Sequence, residues 1–142
     1  MAVPLTLTKL IISLNFATGG KDMTAFSGTL DIPAGFVFAG QKIAVDVGGV
    51  VRAFTLDAKG KQKSGGDSIS VGVKPKNGIS KYLVKMSKGT FSDRLVDEGL
   101  KNETVKGKST TVKVNVIFNT KLYQKIQGQI YTAKQGKTGK SK

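Results

Sequence analysis

Apolar and polar residues alternate along most of this chain. Between residues 10 and 16, every second side chain is apolar, which places Leu10, Ile12 and Leu14 on one face of an extended strand. Similar alternation, bounded by glycine and proline, returns around residues 23–32, 43–47, 50–56, 69–73, 82–86, 112–118 and 123–131, the last centred on Ile126 and Ile130. The pattern predicts an all-β fold: an antiparallel β-sandwich of about eight strands.

Turn residues separate these stretches where the predicted strands must reverse. Gly48 and Gly49 lie between Val47 and Val50, and Asn77 precedes Gly78. Both pairs tolerate positive φ and favour tight turns. Residues 92–99 predict the one short helix, because Ser92 can cap its start and Gly99 can end it.

The inward positions of the predicted strands define the expected core. It consists of Phe26, Val45, Phe54, Val71, Val84, Val114 and Val116.

The alternation changes parity near the N-terminus. Val3, Leu5 and Leu7 are apolar at odd positions, whereas the run from Leu10 onward is apolar at even positions. One regular strand cannot bury both sets on a single face. Residues 1–16 therefore form a bulged or sheet-switching strand, or two segments, the first a short β arm over residues 2–8 that adds to a neighbour's sheet.

We accordingly divide the chain into three parts. Residues 1–9 are an N-terminal β arm and candidate donor strand, residues 10–133 are the sandwich, and residues 134–142 are a basic solvated tail. The assembly interface predicted for the arm consists of Val3, Leu5 and Leu7. A length of 142 residues fits one domain.

Composition argues against an enzyme. The chain has no histidine and no cysteine, which supply many nucleophiles, acid–base groups and soft-metal ligands. Asp57 opens a loop faintly similar to calcium loops, but alternate positions are lysines, so an ordinary turn is favoured. Asp93, Asp97 and Glu98 form an acidic cluster better explained by helix capping and solubility than by catalysis. We predict no catalytic residues, no metal site and no cofactor.

The charge points to a possible class of partner. The formal net charge is +14, and of the 23 basic residues only Arg52 and Arg94 are arginines. Dispersed lysine is typical of solvated faces or of loose attraction to polyanions rather than specific nucleic-acid recognition. The candidate polyanion contacts are Lys59, Lys61, Lys63, Lys134, Lys137 and Lys140.

Several segments together resemble a known kind of module. They are residues 14–22 (LNFATGGKD), 27–36 (SGTLDIPAGF), 45–49 (VDVGG) and 54–61 (FTLDAKGK). They resemble a β-sandwich module of uncharacterised bacterial exported or surface proteins. The resemblance implies an extracellular or cell-surface setting and supplies no catalytic motif. This chain carries a single copy of the module and an added N-terminal arm, an arrangement that is analogous at the fold level to donor-strand filament subunits.

These observations predict a non-enzymatic extracellular structural subunit. It would assemble with copies of itself into a filament through its N-terminal strand, because a head-to-tail contact need not close. The alternative is a monomeric surface module that binds a polyanion, either acidic polysaccharide or nucleic acid. The sequence shows no signal peptide and no apolar run long enough to span a membrane.

Overall fold

The computed structural model describes residues 3–89, 91 and 95–142. It is nearly all β and forms one continuous, almost entirely antiparallel sheet. The strands are β1 (Val3–Pro4), β2 (Thr6–Asn15), β3 (Asp22–Asp31), β4 (Lys42–Val47), β5 (Val50–Thr55), β6 (Lys61–Ser64), β7 (Asp67–Val71), β8 (Ile79–Gly89), β9 (Val105–Phe118), β10 (Lys121–Lys134) and β11 (Thr138–Ser141).

The sheet curls into a nearly closed, barrel-like shape. Its order is β5-β4-β9-β10-β11-β2-β3-β8-β7-β6, and β1 adds to β10 in parallel. The sequence prediction of an all-β antiparallel chain is confirmed. An eight-strand sandwich is not confirmed, because ten strands follow one hydrogen-bonded path and β1 adds to it as the eleventh strand of the same sheet.

Side chains join β5, at one end of the sheet order, to β6 and β7 at the other end. Arg52 Nε on β5 lies 3.2 Å from Asp67 Oδ2 on β7, and the Thr55 amide donates to Gln62 Oε1 on β6 at 2.7 Å. The Arg52 guanidinium also lies over the Phe91 ring, 5.5 Å from its centroid. The seam is therefore closed by polar side chains rather than by a backbone ladder.

The core fills the inside of the curled sheet. All seven side chains predicted for it are buried: Phe26, Val45, Phe54, Val71, Val84, Val114 and Val116. The predicted turns are also present, with positive φ at Gly48, Gly49, Asn77 and Gly78. The alternation of apolar and polar residues thus predicted correctly which face of these strands points into the core.

One buried carboxylate ties three segments together. Asp22 accepts hydrogen bonds from the Asn15 amide at the end of β2 and from the Phe91 amide, each at 2.7 Å. Its exposure is 2%. Charge-assisted bonds of this kind are stronger than neutral ones, so Asp22 fixes the path of the chain at this end of the sheet.

Three sequence predictions differ from the structure. Residues 134–142 were expected to be a solvated tail, but Thr138–Ser141 forms β11 in the interior of the sheet, with Gly139 and Ser141 buried. Ile126 and Ile130 point outward, while Tyr123 and Tyr131 are buried. Of the predicted helix, residues 92–94 lie outside the described residues, and Val96–Glu98 is a 3₁₀ turn that ends at Gly99, with φ 84°.

Candidate functional site

The structure of the single chain places the predicted assembly arm in its own sheet. The Leu5 amide donates to the Gln124 carbonyl at 2.9 Å, and Leu5 is buried at 3% exposure while Val3 and Leu7 pack partly against the core. The parity change is resolved by a β-bulge at Thr8, because Leu7 pairs with Gly28 and Lys9 with Ser27. The bulged-strand alternative is thus the one that this chain adopts, and exchange of the arm between subunits stays a prediction.

Gly28 allows the start of β2 to cross β3 closely. A Cβ atom at position 28 would overlap the Thr6 carbonyl oxygen, which also accepts a hydrogen bond from the Tyr82 hydroxyl at 3.2 Å. The missing side chain and the tyrosine together hold residues 6–8 against the sheet.

The predicted polyanion lysines fall into two separate groups. Lys61 and Lys63 lie on β6, with Lys59 in the turn before it, whereas Lys134, Lys137 and Lys140 lie in or beside the β10–β11 hairpin. In the sheet order, β2, β3, β8 and β7 lie between β11 and β6. Further exposed lysines, on the outward side of β2 and β8, lie between the two groups.

We call the outward side of β2, β3, β8, β7 and β6 the lysine face. Its exposed lysines are Lys9, Lys61, Lys63, Lys81 and Lys85. Strand register arranges its residues in rows across the sheet. One row is Lys61, Ser70, Leu83, Ser27 and Lys9, and the next is Lys63, Ser68, Lys85, Ala25 and Ile11. With strands about 4.8 Å apart, Lys63 and Lys85 are roughly 10 Å apart along their row.

No carboxylate interrupts these rows among the residues that the structure describes. Two exposed carboxylates lie at the margins of the face: Asp31 at the end of β3, diagonally across from Lys81, and Asp57, which lines the same depression as Lys61 and Lys63. Asp67 pairs with Arg52, and the other ion pair found in the described ranges joins Lys108 and Glu103. The lysines outnumber these two carboxylates, so the lysine face keeps a net positive charge.

The surface between the lysines is a continuous, shallow trough. A depression of about 620 Å³ is lined by Thr8, Ser27, Thr29, Ser70, Lys81 and Leu83. A second depression around Lys61 and Lys63 shares Ser70 and Leu83 with the first, and a third around Lys74 and Lys76 shares Lys81. An extended ligand could follow this trough across five strands.

The trough presents no exposed aromatic ring, although Tyr82, which is buried, lies among the residues that line it. All ten aromatic side chains are described by the structure and none of them is exposed. Burial raises the pKa of Tyr131 from its ordinary 10.0 to about 12, and it also raises the pKa of Tyr82. Tyr131 donates its hydroxyl proton to the Lys101 carbonyl at 2.6 Å. The aromatic rings therefore pack in the core or at its edge and present no exposed surface on which a ligand could stack.

The acidic residues of the described part of the chain are dispersed. No group of three or more histidine, cysteine, aspartate or glutamate side chains there is arranged to hold a metal ion. Asp57 caps its own turn, and Glu98 Oε2 accepts from the Lys113 amide at 3.3 Å. Asp93 lies outside the described residues.

A second surface, which we call the apolar face, covers the outward side of β5, β4, β9 and β10. Its large aliphatic residues are Val51, Ile117, Leu122, Ile126 and Ile130. Ala53, Ala44, Ile117 and Leu122 form one cross-strand row. Beside that row, Gln124 Nε2 donates to Asn115 Oδ1 at 2.9 Å. Val51, Ile117 and Leu122 line one shallow depression, whereas Ile126 lies opposite Lys113 and Ile130 opposite Ser109. Exposed aliphatic side chains in this number are typical of interaction surfaces.

Sequence reasoning missed Lys9, Lys81 and Lys85 as site residues. A signal was present in β8, where the alternation that buries Tyr82, Val84 and Met86 turns Lys81, Leu83 and Lys85 outward. The pairing of β8 with β3 and of β3 with β2 brings Lys9 onto the same face, and that pairing depends on the fold.

No helix among the described residues has the length and hydropathy needed to cross a bilayer. No protein-family model matches the chain, and no curated protein or solved structure is significantly similar to it. The resemblance to a bacterial surface module stays a prediction.

Proposed function

We propose that this protein is a non-enzymatic module that binds a polyanion through its lysine face. The single observation that carries the proposal is a set of five exposed lysines on neighbouring strands, four of which lie in two cross-strand rows that contain no carboxylate. Like charges at such spacing cost free energy unless a counter-charge neutralises them. The proposal includes no cofactor, and it adopts the extracellular or cell-surface setting implied by the sequence resemblance.

The binding free energy would come mainly from counterion release. A polyanion that contacts five lysines displaces condensed counterions, so log Kd should rise with log salt with a slope of about 3.5 to 4.5. Between about 0.05 and 0.2 M salt, the affinity then falls on the order of 100-fold. Lysine ammonium groups act as point charges here, which fits attraction without sequence selectivity.

Charge reversal on the lysine face tests the proposal. We expect the K61E/K63E/K85E variant to lose affinity for inorganic polyphosphate by on the order of tenfold or more near physiological salt, because three contacts become repulsive. A matched control, K42E/K106E/K121E, has the same net charge, but its substitutions lie off the lysine face. Titration by fluorescence anisotropy of labelled polyphosphate measures both.

Equal losses in the two variants would contradict the proposal, because net charge alone would then explain the binding. Failure of the intact protein to bind polyphosphate at low salt would contradict it outright.

The apolar face favours a second candidate function, a structural subunit that self-assembles into a filament. Ile126 is 64% exposed and Val51 56% exposed, and Val51 lines a shallow depression together with Ile117 and Leu122. A second copy of the chain could cover this surface in a head-to-tail contact, in which the aliphatic residues of one copy meet a different surface of the next; such a contact need not close and extends into a filament, whereas an isologous contact would stop at a dimer. Assembly through Val3, Leu5 and Leu7 is the other route to the same function.

Sedimentation velocity tests whether the protein assembles through the apolar face. If the apolar face associates, I117S/I126S lowers the sedimentation coefficient of an oligomeric intact protein to that of the monomer, because it removes interface area and leaves the core intact. The matched control V37S removes another exposed aliphatic side chain, 65% exposed, from outside this face. An intact protein that sediments as a monomer at high concentration would contradict this second function.

A further inference from the structure

We infer that the polyanion bound by the lysine face is an acidic polysaccharide. The inference rests on the function proposed above and adds the class of ligand. It follows from what lies between the lysines, namely free hydroxyl groups and one aliphatic side chain.

The hydroxyl groups of Ser68 and Ser70 lie in the middle of the two rows. Ser68 lies between Lys63 and Lys85, and Ser70 lies between Lys61 and Leu83. Neither hydroxyl makes a hydrogen bond with another described residue, and both side chains are half-buried rather than fully exposed. Each can donate one hydrogen bond and accept two. Sugar hydroxyls between the anionic groups of a polysaccharide match that capacity.

Two further hydroxyl groups extend this line toward β2. Thr8 Oγ1 donates to the Ser27 carbonyl at 3.1 Å and lies 3.3 Å from Ser27 Oγ. This contact fixes the positions of both side chains at the edge of the trough. Hydroxyl groups thus occur along the whole path between Lys61 and Lys9.

Leu83 supplies the apolar part of the surface. It is 53% exposed at the centre of the trough, between Ser70 and Ser27. A sugar ring presents C–H groups that can cover such a side chain and remove its surface from water. An inorganic polyanion gains nothing from this contact.

The surface is poorly suited to nucleic acid. Single-stranded nucleic acid is usually bound by stacking its bases on exposed aromatic rings, and all ten aromatic side chains of this chain are buried or half-buried. Arg52, the described arginine, is engaged with Asp67 at the seam. A broad sheet face also cannot enter a major groove, which admits a helix or a two-stranded ribbon.

The test compares ligands of equal charge number at one salt concentration. The intact protein is titrated with a sulfated polysaccharide fragment, a single-stranded oligonucleotide, inorganic polyphosphate and anionic phospholipid vesicles. We expect the polysaccharide to bind at least tenfold more tightly than the oligonucleotide. The S68A/S70A variant should lose severalfold affinity for the polysaccharide and keep its affinity for polyphosphate, because no charge is changed. S109A, which removes an exposed hydroxyl from β9, is the matched control.

The outcomes distinguish this inference from the proposed function. If the oligonucleotide or the vesicles bind as tightly as the polysaccharide, or if S68A/S70A lowers all affinities equally, the polysaccharide inference is overturned while polyanion binding stands. If none of the ligands binds at low salt, both proposals fail. Circular dichroism of each variant confirms that the sheet is intact before binding is compared.

Discussion

Replacing Phe54 with alanine is expected to lower the free energy of unfolding by about 3–5 kcal/mol. Phe54 is 3% exposed and lies on the terminal strand β5, where it pairs with Ile43 on β4. The substitution removes a large buried ring and leaves a cavity that the two strands can only partly close. Urea unfolding followed by circular dichroism measures the change.

Val51 is the matched control on the same strand. Its side chain points outward, so V51A is expected to change the free energy of unfolding by less than about 0.5 kcal/mol. Equal effects of F54A and V51A would show that the two faces of β5 are assigned incorrectly, and the apolar face would then lose one of its members.

Replacing Asp22 with alanine is expected to cost about 2–5 kcal/mol. The carboxylate accepts from the amides of Asn15 and Phe91, and its removal leaves both donors without this partner in a buried region. D31A is the control, because Asp31 lies on the same strand and is exposed. Denaturant unfolding gives the free energies, and amide hydrogen exchange should show faster exchange at Asn15 and Phe91 in D22A alone. Similar unfolding free energies for the two variants would contradict the role given to Asp22.

Most of the strand pattern could be predicted from the sequence because apolar side chains mark the inward positions. β2, β3, β4, β5, β7, β8, β9 and β10 all overlap predicted strands. β6 and β11 could not be found in this way, because they contain no large apolar residue. In β11 the inward positions are Gly139 and Ser141, so a buried strand has the composition of a solvated tail.

The register of β10 shows where alternation becomes ambiguous. Ile126 and Ile130 are apolar at even positions, while Tyr123 and Tyr131 are apolar at odd positions. The odd set faces the core, together with the buried amide of Gln129, whose Nε2 donates to the Leu10 carbonyl at 3.1 Å. The sequence prediction chose the wrong face because hydropathy favours isoleucine over tyrosine and glutamine. Because isoleucine was expected to face inward, the sequence could not predict that Ile126 and Ile130 lie on the outward apolar face.

The candidate site depends on contacts between strands that are distant in the chain. Lys61 and Lys63 were predicted as polyanion contacts because they lie in a lysine-rich segment, and the structure places them on β6. Lys9 joins them only because β2 pairs with β3, β3 with β8, and β8 with β7. Local sequence carries no information on that order, so the complete row of lysines follows from topology.

Lysine footprinting tests the central claim most directly. The protein is acetylated with and without a saturating sulfated polysaccharide, and the extent of modification at each lysine is measured by mass spectrometry. We predict that the polysaccharide protects Lys9, Lys61, Lys63, Lys81 and Lys85, and leaves Lys106 and Lys121 reactive. Uniform protection of all lysines, or protection confined to Lys134, Lys137 and Lys140, would contradict binding through the lysine face.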